Sequence, residues 1–121
     1  MAAWRQTAIQ QAEHFLTRAE DPSQRGRWQR IHHELSSSPA PWAAATELWM
    51  DIAAALLWSG APQEEVASVL RDAHRLWQAA GDPRQAVMAP WLLHLLQQVS
   101  AVSDLAESTR QWIAEHQQEA A

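Results

Sequence analysis

The sequence predicts an all-α fold of five to six antiparallel helices within a single α-helical domain covering 1–121, a compact helical bundle being the alternative arrangement. Three observations lead there. Ala occurs 24 times among the 121 residues, and Leu, Gln, Glu and Arg supply much of the rest. These are strong helix formers, and β-branched residues are sparse. Apolar residues recur three and four positions apart in six segments, the period of a helix face. Pro, Gly, Asp and Ser gather between those segments, where caps and turns need them.

The first segment, about Ala3 to Ala19, carries a stripe of Trp4, Ala8, Ala12, Phe15, Leu16 and Ala19. The second, about Pro22 to Leu35, brings Trp28, Ile31, His32 and Leu35 together. The third, Trp42 to Trp58, is apolar nearly all round, with Thr46, Glu47 and Asp51 as its polar edge, and is therefore expected to be central. In the fourth, Pro62 to Ala80, Val66, Val69, Leu70, Ala73, Leu76, Trp77 and Ala80 form the stripe. The fifth, Pro83 to Val99, is again very apolar, and Pro90 inside it removes the partner of the Ala86 carbonyl, which predicts a kink. The sixth, Asp104 to about Gln118, presents Leu105, Trp112, Ile113 and His116.

Asp21-Pro22 and Asp82-Pro83 each offer a capping carboxylate followed by Pro at the first helical position. Gly60 and Gly81 stand where a left-handed residue ends a helix, and Ser103 is placed to cap the sixth. Sliding the chain by 61 residues aligns Ala12, Ala19, Asp21, Pro22, Gln24, His33 and Leu35 with Ala73, Ala80, Asp82, Pro83, Gln85, His94 and Leu96, which suggests two related halves.

Met50 to Ala73 resembles a degenerate tetratricopeptide (TPR) helix pair. Ala53, Ala54, Leu57, the Gly60-Ala61 turn, Val66, Leu70 and Ala73 fall at that motif's spacing, and the Gly81-Asp82-Pro83 elbow is similar to those of TPR arrays. Met50 and Ala54 replace its usual aromatic and Gly, and no neighbour keeps a 34-residue period. The resemblance implies stacked α-hairpins and a scaffold that cradles a protein partner.

Absent residue types narrow the chemistry. The chain has no Lys, Tyr, Cys or Asn, so all nine of its cations are Arg. Disulfides, thiolate metal sites, a Cys nucleophile and a Schiff-base Lys are excluded. The longest uninterrupted apolar runs, Ile52 to Trp58 and Val87 to Leu93, are too short to cross a bilayer. A cytoplasmic protein with no membrane partner is expected, and Arg in place of Lys fits a GC-rich, bacterial coding sequence. Only three Gly are present, with no phosphate-cradling loop, nucleophile elbow or His-Glu-x-x-His, and Glu64, Glu65 and Asp72 read as a solvated helix face. No enzymatic activity and no cofactor or metal are expected.

Three constellations remain. Among six His, His94 lies between Leu92 and Leu96 as a candidate inward ligand for haem or another flat apolar molecule, although no Glu-x-x-His pair supports a metal centre. Arg25, Arg27 and Arg30 surround Trp28, and residues 1–40 carry a charge of +1 against -6 for residues 41–121. An acidic partner suits such a patch; nucleic acid is a weaker match because the whole chain is acidic, with a net charge of -5. Eight Trp exceed what a core of this size needs. Trp4, Trp49 and Trp77 fit core stripes, and Trp42 and Trp49, seven apart on one helix, share a face. Trp28, Trp58, Trp91 and Trp112 are the candidates for a partner surface. The expected function is thus a non-enzymatic adaptor or chaperone-like module that binds a protein partner, possibly a second copy of itself, through a Trp-containing groove. The alternatives are a nucleoprotein subunit using Arg25, Arg27 and Arg30, or a small binder of haem or an apolar ligand.

Overall fold

The computed structural model describes residues 3–81 and 83–120, and every regular element among them is helical. α1 spans Ala3–Arg18, α2 Pro22–Ser37, α3 Trp42–Trp58, α4 Gln63–Ala80, α5 Arg84–Gln97 and α6 Ser103–Ala120, the last preceded by a 3₁₀ turn at Ser100–Val102. Among the described residues no helix is long and apolar enough to cross a membrane.

The caps follow the local chemistry in most places. The Asp21 carboxylate accepts the Ser23 N–H at 3.2 Å, with Pro22 beginning α2. At the end of α3, Gly60 has φ +79°; its N–H donates to the Leu57 carbonyl and that of Ala61 to the Leu56 carbonyl. That pair of bonds is the Schellman motif, and the positive φ is why Gly stands there. Gly81, at φ +72° and ψ 164°, occupies a region open to almost no other residue. Two expected caps differ. Ser103 already has helical dihedrals and stands inside α6, because the 3₁₀ turn feeds directly into it. α5 opens at Arg84 with Pro83 in the N-cap position, one residue later than expected; Asp82 lies outside the described residues. The helix then runs through Pro90 without a break.

Pairing across elements gives the topology. Glu13 meets His32, Phe15 meets Trp28, and Arg5 donates to the Ser38 carbonyl, so α1 and α2 are antiparallel. Arg30 reaches Glu47 while Arg27 reaches Asp51, so α2 and α3 are antiparallel as well. Along α4 and the stretch from the 3₁₀ turn into α6 the numbers rise together: Arg71 reaches the Ala101 carbonyl in the turn and Trp77 faces Trp112 in α6. These two helices run parallel, with α5 between them in sequence.

The apolar residues divide into two clusters, and α3 belongs to both. Ala44, Ala45 and Leu48 pack with Ala8, Ala12, Trp28, Ile31 and Leu35 of the first two helices. Ala43, Met50, Ala53 and Ala54 pack with Val66, Leu70, Trp77, Leu92, Leu96 and Val102 of the later elements. The small Ala side chains let neighbouring helix backbones come close on both sides of α3. Its two-sided apolar composition is the sequence expression of that central place. Thr46, expected on a polar edge, is fully buried; its hydroxyl donates to the Trp42 carbonyl at 2.7 Å, which removes the cost of an unmade bond.

Candidate functional site

The surface that stands out chemically lies on α5. Met88, Ala89, Leu92, Leu95 and Leu96 face the core, leaving Val87 and Trp91, four residues apart, on the outer face. Val87 is 78% and Trp91 39% exposed, and Trp58 at the end of α3 is 77% exposed. His94 continues that face and stacks on Trp91 at 5.7 Å between ring centroids. It is exposed and does not point inward, so the expectation of a buried ligand there is corrected: the helix period turns Leu92, Leu95 and Leu96 inward and His94 out.

Two of the four candidate Trp are not free surface. Trp28 is only 4% exposed and lies stacked on Phe15 at 4.5 Å and 9°. It fills the space between α1 and α2, a core role. Trp112 is half-buried, edge-on to Trp77 at 5.0 Å and stacked on His116.

The arginine constellation is also rewritten by packing. Arg27 Nη2 lies 2.6 Å from Asp51 Oδ2 and its Nε 3.4 Å from Glu47; Arg30 lies 3.2 Å from Glu47 and 3.7 Å from Glu34. Arg84, from α5, completes the set at 2.9 Å from Glu34. Three guanidiniums and three carboxylates therefore join α2, α3 and α5, with Glu47 reached by all three cations. Each pair is partly exposed and contributes on the order of 0.2–1 kcal/mol, so the network fixes register more than it stabilises. Burial pushes the Asp51 carboxyl up from its ordinary value, Arg27 opposes that, and Glu47 adds to it. Arg25 donates to the Ala19 carbonyl at 3.1 Å across the α1–α2 turn. A patch that reads as basic in sequence is thus largely neutralised within the fold.

A second feature was not singled out by sequence. Trp4, Trp42 and Trp49, with Leu76, Asp72 and Arg75, line a cleft of about 260 Å³ between α1, α3 and α4. Trp4 and Trp49, which fit core stripes in the sequence, do pack against the core, but both are half-buried and open onto this cleft. The seven-residue spacing of Trp42 and Trp49 on α3 was the available signal, but only the tertiary fold brings Trp4 against both.

Comparison with protein-family models, with curated proteins and with solved structures returns no match for this chain.

Among the described residues no group of three or more His, Asp or Glu is placed to hold a metal ion. A polar cleft of about 500 Å³ lies between α4 and α6, lined by Arg71, His74, Arg75, Gln78, Asp104, Leu105 and Ser108. His74 is buried, with its Nε2 unpaired. Burial lowers its pKa from the ordinary 6.5, and the Asp104 carboxylate partly offsets that. Unfolded His74 takes up its proton near pH 6.5 and folded His74 only at lower pH, so over that window the unfolded state binds more protons. His74 therefore favours the fold fully above that window, and its contribution is lost as pH falls through it. We expect the wild-type melting temperature to fall between about pH 7.5 and about pH 5.5, and the fall to shrink in His74→Leu. An equal fall in both proteins, followed by thermal circular dichroism, would assign the acid sensitivity to other groups.

Proposed function

We propose that the chain is a non-enzymatic α-helical adaptor or chaperone-like module that docks an apolar helix of a protein partner, a second copy of itself being the near variant. The observation that carries this is the outward Val87 and Trp91 pair on α5, large apolar side chains left in water at helical spacing. Burying such a side chain fully contributes about 1.5–3 kcal/mol, and Trp is the residue most enriched among interface hot spots. Trp58 is the second candidate anchor.

The TPR-like reading belongs to the same proposal. It is supported by the α3–α4 hairpin turning at Gly60, with Ala53, Ala54, Val66, Leu70 and Ala73 buried in its interior. The intramolecular pairing of Arg27 and Arg30 weighs against the nucleoprotein alternative, because charge already matched within the fold releases few counterions on contact with phosphate. A cytoplasmic location suits a chain without cysteine.

The test is a paired affinity capture from the native host with the parent chain and a Val87→Ser, Trp91→Ala double variant, read by quantitative mass spectrometry. Both substitutions are at exposed positions, so helical circular dichroism stays unchanged. The expected result is a partner enriched by the parent and lost, by tenfold or so, with the variant. Sedimentation velocity across a concentration series identifies self-association by the same face. Equal capture by both proteins, together with identical sedimentation, would remove α5 as the docking face.

A further inference from the structure

We propose that the indole-lined cleft between α1, α3 and α4 is a binding site for a small organic cation of the quaternary-ammonium class. No residue of α5 contributes to it, so it is separate from the docking face. Its walls are aromatic: the Trp4 and Trp42 centroids are 5.5 Å apart at 32°, and Trp49 stands at 73° to Trp4 with centroids 6.4 Å apart. Trp4 and Trp49 thus make two sides of a corner, with Trp42 inclined beside Trp4 and Leu76 adding apolar surface. Indole faces carry negative quadrupole density and attract cations more strongly than the other aromatic side chains do. An ammonium enclosed by methyl groups suits such walls, because it is charged but weakly hydrated.

The polar side of the cleft sets the sign of the ligand. Asp72 and Arg75, three residues apart on α4, form an ion pair at its edge. The Asp72 side chain is 44% exposed and that of Arg75 74%, so the carboxylate sits deeper and the guanidinium lies toward solvent. An incoming cation can displace Arg75 from Asp72 at little cost, since an ion pair this open to solvent is screened and weak. The chain's net charge of -5 draws cations toward its surface in general. The size is suitable too: about 260 Å³ admits one compact ligand and excludes a cofactor with several rings.

Choline is the probe, compared with its neutral carbon isostere, in which a tert-butyl group replaces the trimethylammonium. Binding is followed by the indole N–H resonances in solution NMR. The expected result is saturable shifts confined to Trp4, Trp42 and Trp49, with a Kd on the order of 1 mM, as a few cation–π contacts and one carboxylate support for so small a ligand. The isostere binds at least about tenfold more weakly because it lacks the charge. Two surface variants then move affinity in opposite directions. Asp72→Asn weakens choline binding about three- to fivefold, and Arg75→Ala, which frees the carboxylate, strengthens it by a similar factor. Absence of saturable shifts, or equal binding of the neutral isostere, overturns the proposal. So does reversal of the two variant effects, which would identify an anion site in its place.

Discussion

Replacing Trp77 by Ala is expected to lower the unfolding free energy by about 3–5 kcal/mol, the largest single loss in the molecule. The ring is almost fully buried in the larger cluster and meets Trp112 edge-on, with His74 at 5.5 Å. It also closes a polar account: its Nε1–H donates to the Gln85 carbonyl at 2.8 Å, joining the end of α4 to the start of α5 across the Gly81 turn. Truncation therefore opens a cavity and removes the hydrogen bond that ties the start of α5 to α4, and the two costs add. Trp77→Phe separates them. It keeps most of the apolar volume and loses the N–H, so about 1–3 kcal/mol of the effect should remain. Urea denaturation followed by circular dichroism measures both variants; a Trp77→Ala loss below about 1 kcal/mol would place this ring outside the core.

The second large effect is expected at Trp28, about 3 kcal/mol for Trp28→Ala, against a change within about 0.5 kcal/mol for Trp58→Ala. The two residues are equal in composition and opposite in environment. Trp28 lies between Phe15 and the α3 side of the smaller cluster, with the Arg27 guanidinium 4.9 Å from its ring. Trp58 has almost no neighbours to lose. Denaturation midpoints measured side by side give the comparison directly. Equal, small losses would return Trp28 to the surface and reopen the arginine elbow as an interface.

Much of the architecture is legible in the sequence because helix formation is local. The limits of α3 follow from Pro41 before it and the Gly60 motif after it, and its central position follows from apolar residues on every side. The stripes of α1 and α2 contain their buried residues, and that of α4 all but Ala67 and His74, for the same reason: a period of 3.6 residues decides which side chains turn inward. What the pattern leaves open is which stripe meets which. Trp28 has the spacing of a core residue, yet a neighbourhood of three Arg reads as surface until Glu47 and Asp51 arrive from another helix to take up the charge. Trp4 and Trp49 carry core spacing too, and both pack against the core, yet each also lines the cleft between α1, α3 and α4. The 61-residue self-match places Ala12 with Ala73 and Leu35 with Leu96, all four buried, while the two elbows differ because α5 begins at Arg84 rather than at Pro83.

The double allegiance of α3 also sets an order for building the molecule. As the chain leaves the ribosome, α1 and α2 appear before α3, and until then their apolar stripes have each other but no third wall. Ala44, Ala45 and Leu48 supply that wall only when α3 has emerged, and the same helix then holds Met50, Ala53 and Ala54 open to water until α4 follows. Each newly made segment closes the surface left by its predecessor and exposes one of its own. The cluster on the far side of α3 is therefore incomplete until α4, α5 and α6 have followed it.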